Sequence, residues 1–481
     1  MRTTPYRPVR RQAPTPDGPS PSLLVSLGIV GAIAFLAAHV YVARVADEVV
    51  PIRVDPTPAG QIYAPILSVR RIPTVTSRSV RIGRLQASLA PVAAQIPSGS
   101  CLIVDAEGMR VVEVAPNSLV IPGSNLKLLV AATALSVLGA EYTFTTGLHG
   151  FVTNGVIQGN LWVVGGGDAL LTRAGFENRQ IYPSTFPTRI EQIVGLLQAQ
   201  GVTRITGSVI GDESRYDNER YTPSLAQDTK GTDSGPLGAL LVNDGWVTGD
   251  EIKDKNPAFA AAREITKVLI DGGISVEGEP LVGQVPGDVA KFAEIESAPL
   301  SEYILDMLTN SDNNTADLLL KEIGMRTGNG PTRTGGIAAV VGFLRDEGLP
   351  VDGLSMTDGS GLDRGNQLSC SLIQSILERD GGFGAMGMGL AVAGQSGTLR
   401  RFFTETAAVG RLRAKTGTLT GVKALSGFVP FADQDALVFT LVLNGENVAK
   451  EEVYGPIWNG LASALGTYTG SPTSDESDPL P

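Results

Sequence analysis

Ser124-Asn-Leu-Lys127 follows a Pro122-Gly123 turn and opens a run rich in leucine and alanine that extends to about residue 139. The Pro-Gly opening and the apolar spacing predict a helix that begins at Ser124. On a helix, a lysine three residues after a serine returns to the same face about one turn away, within reach of the hydroxyl. A serine at a helix start also lies beside free backbone N–H groups and the positive end of the helix dipole, which favour a developing oxyanion. Taken alone, the string also reads as an N-cap followed by a solvated lysine.

Two further strings follow in order. Ser311-Asp-Asn313 lies between two stretches of helical spacing, 302–308 and 316–323, and is expected to connect two helices with its side chains projecting. Lys415-Thr-Gly417 falls in a predicted strand, 411–418. There a lysine and the hydroxyls of Thr416 and Thr418 can fix a carboxylate, and Gly417 lets a ligand lie close to the backbone. Singly, these are a turn between helices and a strand end with an exposed lysine. Together they supply Ser124 as nucleophile, Lys127 as base, Ser311 as proton relay and Asn313 as a brace for the lysine and a holder for a substrate amide. Lys415 is the carboxylate anchor, and the N–H groups of Ser124 and Thr418 are the expected oxyanion hole.

Composition sharpens the choice of base. The 481 residues include two histidines, His39 and His149, so a Ser-His-Asp triad or a His-rich zinc site has almost nothing to be built from. Two cysteines, Cys101 and Cys370, cannot make a Cys₄ site, and no metal or other cofactor is expected. In an oxidising compartment these cysteines can pair, but sequence does not fix their separation, so a disulfide and two free thiols both stay open. A formal charge of -11 argues against a nucleic-acid partner.

Residues 1–22 are Pro-rich and basic, and 23–42 form an apolar run interrupted by Ser26 and His39. As a helix that run is roughly 30 Å long, about one hydrocarbon core. It reads as a transmembrane signal anchor with a cytoplasmic tail at 1–22 and everything after about residue 46 outside the cytoplasm. The alternative is a cleaved signal peptide and a secreted product. Residues 47–80 read as a basic, solvated linker and 470–481 as a disordered tail. A helix is expected at 80–94, strands at 101–106, 109–115, 411–418, 422–430 and 436–444, and a closing helix at 450–465. The first two strands and the last three would form one sheet of five, with most of the chain inserted between them.

The three strings are joined by Gly159-Asn-Leu-Trp-Val-Val-Gly-Gly-Gly-Asp168, Ala239-Leu-Leu-Val-Asn-Asp-Gly245, Asp358-Gly-Ser-Gly-Leu-Asp-Arg364, Ala393-Gly-Gln-Ser-Gly-Thr-Leu399 and Arg413-Ala-Lys-Thr-Gly-Thr-Leu-Thr-Gly421. Over roughly residues 101–465, this set resembles the class C low-molecular-mass penicillin-binding proteins, the D-alanyl-D-alanine carboxypeptidase/endopeptidases. The resemblance implies an α+β (αβα) penicillin-recognising serine DD-peptidase fold, similar to β-lactamases and transpeptidases, with a five-stranded antiparallel sheet flanked by helices. It implies a catalytic domain split into 81–144 and 291–466, with a smaller domain inserted at 145–290. The gap of 187 residues from Ser124 to Ser311 is shorter than in members with two inserted domains, so one compact insertion of strands and a helix or two is expected.

The implied activity is hydrolysis of the terminal D-alanine from peptidoglycan stem peptides through an acyl-enzyme on Ser124, with β-lactams as covalent inhibitors. The carboxylate would be held by Lys415, Thr416, Gly417 and Thr418. A β-lactamase of the same fold is the nearest alternative, but the E-x-x-L-N string of its class A form is not found. A noncatalytic penicillin-binding receptor is another, although residues 1–22 are too few for a signalling domain. Gly165-Gly-Gly167 has no following G-K-[ST] and reads as a tight turn rather than a phosphate loop.

Overall fold

The computed structural model describes residues 32–38, 40, 74–432 and 434–469. In the unit formed by residues 1–71, residues 32–38 and 40 are helical, with Ile33, Phe35, Leu36 and Val40 exposed. The remainder of the apolar run at 23–42, the basic tail at 1–22, the linker up to residue 73 and the tail at 470–481 lie outside the described residues. Among the described residues, no helix is long and apolar enough to cross a membrane.

The larger unit is organised by a sheet in the order Ala391–Val392, Arg413–Leu419, Val422–Ala432, Asp435–Asn444, Cys101–Ala106, Met109–Val114. The five expected strands are joined by a short sixth at the edge. The meander runs antiparallel, with Thr416 opposite Leu425 and Ser426 opposite Thr440, and the first strand closes on the last through Cys101 opposite Val442. Both faces are covered, which is why the central strands read as continuous apolar runs instead of alternating. One face packs against the helices Thr74–Ala93 and Glu451–Gly466 through Leu85, Leu89, Leu461 and Leu465. The other packs against the buried helix Lys127–Leu138 and its neighbours. Cys101 and Cys370, at the starts of a strand and a helix, form a disulfide with a Cα separation of 6.1 Å.

Two boundaries differ from the sequence expectation. The first helix begins at Thr74, inside the stretch read as a solvated linker. The reason is electrostatic: Arg78 and Arg81 reach the Glu107 carboxylate at 3.2 and 2.8 Å, on the tight turn between the first two strands. The insertion also runs past residue 290, because Lys291–Glu296 pairs antiparallel with Thr145–Thr153, Glu296 opposite Thr145. The chain thus enters and leaves this sheet on adjacent strands. The sheet has seven strands, several only two residues long, and the helices Gln192–Ala199 and Pro257–Asp271 pack on it around Leu197, Ile205, Ile265 and Leu269. Gly166, in the glycine run, sits where a Cβ would lie 2.0 Å from the Thr145 carbonyl oxygen. Close packing of backbone on backbone, rather than a phosphate site, accounts for it.

The wholly buried Glu322 fastens the inserted segment to the helix Asn313–Arg326. Its carboxylate accepts from Tyr142 Oη and Arg215 Nη2, both at 2.7 Å, and from Tyr216 Oη at 2.8 Å. A buried charge persists when it is paired and fully hydrogen-bonded, and this one is.

Candidate active site

Ser124 sits in a single 3₁₀ turn, Gly123–Leu126, and the α-helix proper begins at Lys127. The expected continuous helix is therefore tightened over its first turn, a frequent adjustment at helix starts. The turn keeps the lysine on the serine's side: Lys127 Nζ lies 3.1 Å from Ser124 Oγ. The amine also donates to Asn313 Oδ1 at 2.7 Å and to the Ser360 carbonyl oxygen at 2.6 Å.

These three partners match the three donors of an ammonium group. If one proton is removed, two N–H bonds remain for the two carbonyl oxygens and the lone pair faces Ser124. Lys127 is wholly buried, and that burial pulls its pKa down to about 8, against the opposing pull of Asp317, Asp358 and Asp312. A minor neutral fraction is thus available near neutral pH, and it grows as pH rises toward 8.

The Ser360 carbonyl is itself held in place. Asp317 Oδ1 accepts from the N–H groups of Gly359 and Ser360, at 2.8 and 3.0 Å. Asp358 accepts from the N–H of Gly361 and from Asn366 Nδ2, each at 2.8 Å. Burial, followed by repulsion from Asp358, raises the Asp317 pKa to about 7. Gly361 has φ +82°, and a Cβ there would lie 2.0 Å from the Gly123 carbonyl oxygen, so only glycine lets this loop reach the serine turn.

The second string is the expected interhelical connection. Ser311, in the left-handed region at φ +64°, ends the helix Leu300–Asn310, and Asp312 caps the next helix by accepting from Thr315 N–H at 2.6 Å. Ser311 Oγ takes its hydrogen bond from Lys415 Nζ, at 2.8 Å, rather than from Lys127. Asn313 braces Lys127 with its oxygen, but its Nδ2 donates to the Asp233 carbonyl at 2.7 Å, so the amide group is committed at both ends. Holding a substrate amide, as read from sequence, would require it to release that loop.

Lys415, Thr416, Gly417 and Thr418 lie on Arg413–Leu419. Lys415 is wholly buried and donates to Ser311 Oγ and to the Thr416 carbonyl, at 2.9 Å. Burial, with a smaller contribution from Lys127, pushes its pKa well below the usual lysine value. Thr416 Oγ1 is 2.8 Å from Thr398 Oγ1, and Thr418 Oγ1 accepts from Lys423 Nζ at 3.1 Å. The backbones of the first and third strings nearly touch: a Cβ on Gly417 would lie 3.2 Å from Ser124 N, and one on Gly123 would lie 3.5 Å from Thr418 N. The edge strand Ala391–Val392 pairs only with Arg413 and Ala414, leaving the following edge without a partner strand among the described residues. A cavity of about 580 Å³ opens here, lined by Ser124, Ser311, Asn313, Thr416 and Thr418, and by Asp228 and Asp233 from the insertion.

Sequence reasoning missed Asp317, Ser360, Thr398 and Lys423. Asp317 stands four residues after Asn313 on one helix, a spacing that could have suggested it, and Ser360 lies inside the quoted segment 358–364. Thr398 likewise lies inside the quoted segment 393–399, whereas Lys423 meets the third string only through the register of the neighbouring strand.

The profile of the D-Ala-D-Ala carboxypeptidase 3 (S13) family matches residues 85–257 and 248–457. A carboxypeptidase DacB from Mycolicibacterium smegmatis is 30% identical over 451 residues, spanning 90% of this chain and 94% of its own. A D-alanyl-D-alanine carboxypeptidase from Actinomadura sp. is 27% identical over 462 residues, spanning 78% and 82%. The crystal structure of penicillin binding protein 4 (dacB) from Haemophilus influenzae shares the fold with a TM-score of 0.65 at 21% identity, covering 79% of this chain and 99% of that one.

The fold is that of the penicillin-recognising serine peptidases, in their class C low-molecular-mass branch. Within that class, the chain belongs to the D-Ala-D-Ala carboxypeptidase 3 (S13) family, and it is a serine-type D-Ala-D-Ala carboxypeptidase.

Because Asp317 positions the carbonyl that orients Lys127, Asp317→Ala is expected to lower kcat/KM for D-alanine release by about 10²-fold, the scale of a displacement of about 1 Å at a catalytic group. Steady-state assay of D-alanine release tests this, and a variant with wild-type kinetics would contradict it.

Proposed function

We propose that Ser124 is the nucleophile and neutral Lys127 its general base. Lys127 takes the hydroxyl proton as Ser124 Oγ attacks the carbonyl carbon of the penultimate D-alanine of a stem peptide. The N–H groups of Ser124 and Thr418 receive the negative oxygen of the tetrahedral intermediate, where one such donor contributes about 3 kcal/mol. As the C–N bond breaks, Ser311 delivers a proton to the leaving nitrogen and is resupplied from Lys415; the proton that Lys127 took from Ser124 passes on to restore Lys415, so that Lys127 is neutral again. D-Alanine departs, leaving an ester on Ser124. Water attacks that ester with its proton passing to the neutral Lys127, which returns it to Ser124 Oγ as the ester bond breaks; the shortened peptide loses its acid proton to solvent and leaves as a carboxylate.

The observation that carries this reading is the donor count at Lys127: three acceptors, one of them the nucleophile, around a buried amine whose pKa is near 8. The same chemistry opens a cross-link when the leaving amine belongs to a neighbouring stem peptide, which is the endopeptidase form of the reaction. A β-lactam would acylate Ser124 in the same way, with a leaving nitrogen that stays tethered in the site.

The test is to incubate the protein with a D-Ala-D-Ala-ended peptide and, separately, with a fluorescent penicillin. D-Alanine release and covalent label are both expected, and both should vanish in Ser124→Ala. Label without release would favour a noncatalytic receptor, and rapid penicillin turnover would favour a β-lactamase. Release and label that survive in Ser124→Ala would overturn the assignment.

We propose further that residues 23–42 anchor the chain in the bacterial membrane, with 1–22 in the cytoplasm and the peptidase outside. What supports this is the apolar run with its basic flank. On cell fractionation the full chain should pellet with membranes and be released by detergent. A soluble product starting near residue 46 would replace the anchor with a cleaved signal peptide.

A further inference from the structure

A C-terminal carboxylate bound in the 580 Å³ cavity needs a cationic partner, and the sequence offers Lys415 for that task. The geometry gives Lys415 other work. Its amine is wholly buried, donates to Ser311 Oγ and the Thr416 carbonyl, and does not line the cavity. Lys127 is equally buried and engaged with Ser124, Asn313 and Ser360.

Lys423 is placed differently. It stands on the neighbouring strand Val422–Ala432, directly opposite Thr418, and its side chain forms part of the cavity wall. Its Nζ lies 4.2 Å from the ring centre of Tyr454 and 4.8 Å from that of Trp458, so two aromatic faces favour a cation there. Among the described residues, no carboxylate lies within ion-pair distance of it. The nearest polar contact is the 3.1 Å bond to Thr418 Oγ1. An ammonium group can only donate, so the Thr418 oxygen accepts from Lys423 and its own proton is free to be given to something else.

A second orphan group lies in the same wall. The Trp458 side chain is 1% exposed, and its indole N–H has no acceptor among the described residues. A buried donor without a partner is costly, and so is a largely buried cation whose facing carboxylate, Glu451, stands beyond ion-pair distance; an anionic ligand in the cavity would relieve the cation directly.

We infer that Lys423 is the cationic anchor for the free C-terminal carboxylate of the peptide, acting with the Thr418 hydroxyl, while Lys415 is reserved for Ser311. This rests on the carboxypeptidase reading above. It divides the work among three lysines: Lys127 for the nucleophile, Lys415 for the relay and Lys423 for recognition of the chain end. The ligand class is a peptide ending in a carboxylate. The same peptide ending in a carboxamide lacks the charge that Lys423 recognises.

The experiment compares kcat/KM for a D-Ala-D-Ala peptide with a free carboxylate against its C-terminal carboxamide, in wild type, Lys423→Met and Lys423→Arg. A fluorophosphonate probe, which has no carboxylate, reports in parallel whether Ser124 is still assembled and reactive. Wild type should prefer the carboxylate. Lys423→Met should reduce the carboxylate-to-carboxamide ratio by about 10- to 100-fold, the scale of losing a hydrogen bond to a charged group, and Lys423→Arg should recover most of it. An unchanged ratio in Lys423→Met, whether or not both rates fall, would overturn the assignment while leaving the carboxypeptidase reading intact. Failure of the wild type to release D-alanine would overturn that reading, and this inference with it.

Discussion

The structure of the site depends on one buried amine finding three acceptors. Lys127 Nζ is surrounded by Ser124 Oγ from its own turn, Asn313 Oδ1 from the connection between two helices and the Ser360 carbonyl from a glycine-rich loop. No two of these acceptors come from the same element, so the amine is satisfied only when all three are in register. An isolated charge buried this deeply would be prohibitively costly. The fold lowers that cost by neutralising the group part of the time, and the neutral form is the one able to accept a proton from serine. The same burial therefore governs both stability and chemistry.

Around this centre, carboxylates act on geometry as well as on charge. Asp317 and Asp358 are too far from Lys127 to form ion pairs, and each instead holds backbone N–H groups of the loop 358–363. They reach the lysine in two ways, by fixing the Ser360 carbonyl and by a through-space pull that favours its charged form. Lys415, a second buried lysine, repels Lys127 and is discouraged from charging by its own burial. Both lysines are wholly buried and committed to groups of the site itself. Their arrangement fits proton management, leaving Lys423 at the cavity wall for the carboxylate.

Much of this was legible in the sequence. The β-branched runs of the meander, the interhelical position of Ser311-Asp-Asn313 and the pairing of first and last strands follow from local pattern and from which ends must meet. The scarcity of histidine made lysine the plausible base before any geometry was known. What stayed hidden had physical reasons. A backbone carbonyl such as that of Ser360 leaves no side-chain signature, and Asp317 works through two N–H groups distant in sequence. Arg78 and Arg81 look solvated until Glu107 is brought to them by the strand turn, which is why the first helix begins earlier than its apolar spacing suggests. The insertion contains strands of two residues, too short for any periodicity to mark. Lys423 faces Thr418 through a register that depends on the tight turn between their strands.

The central claim is that Lys127 is a base because it is buried. Titration of the lysine ¹³Cε signals by NMR, with the Lys127 resonance assigned by its loss in Lys127→Arg, measures this directly. The account predicts a midpoint at about pH 8, with penicillin acylation of Ser124 accelerating as pH rises through the same value, because only the deprotonated amine can accept the hydroxyl proton. A Lys127 signal that titrates near the ordinary lysine value of about 10.4, with acylation indifferent to pH around 8, would contradict it.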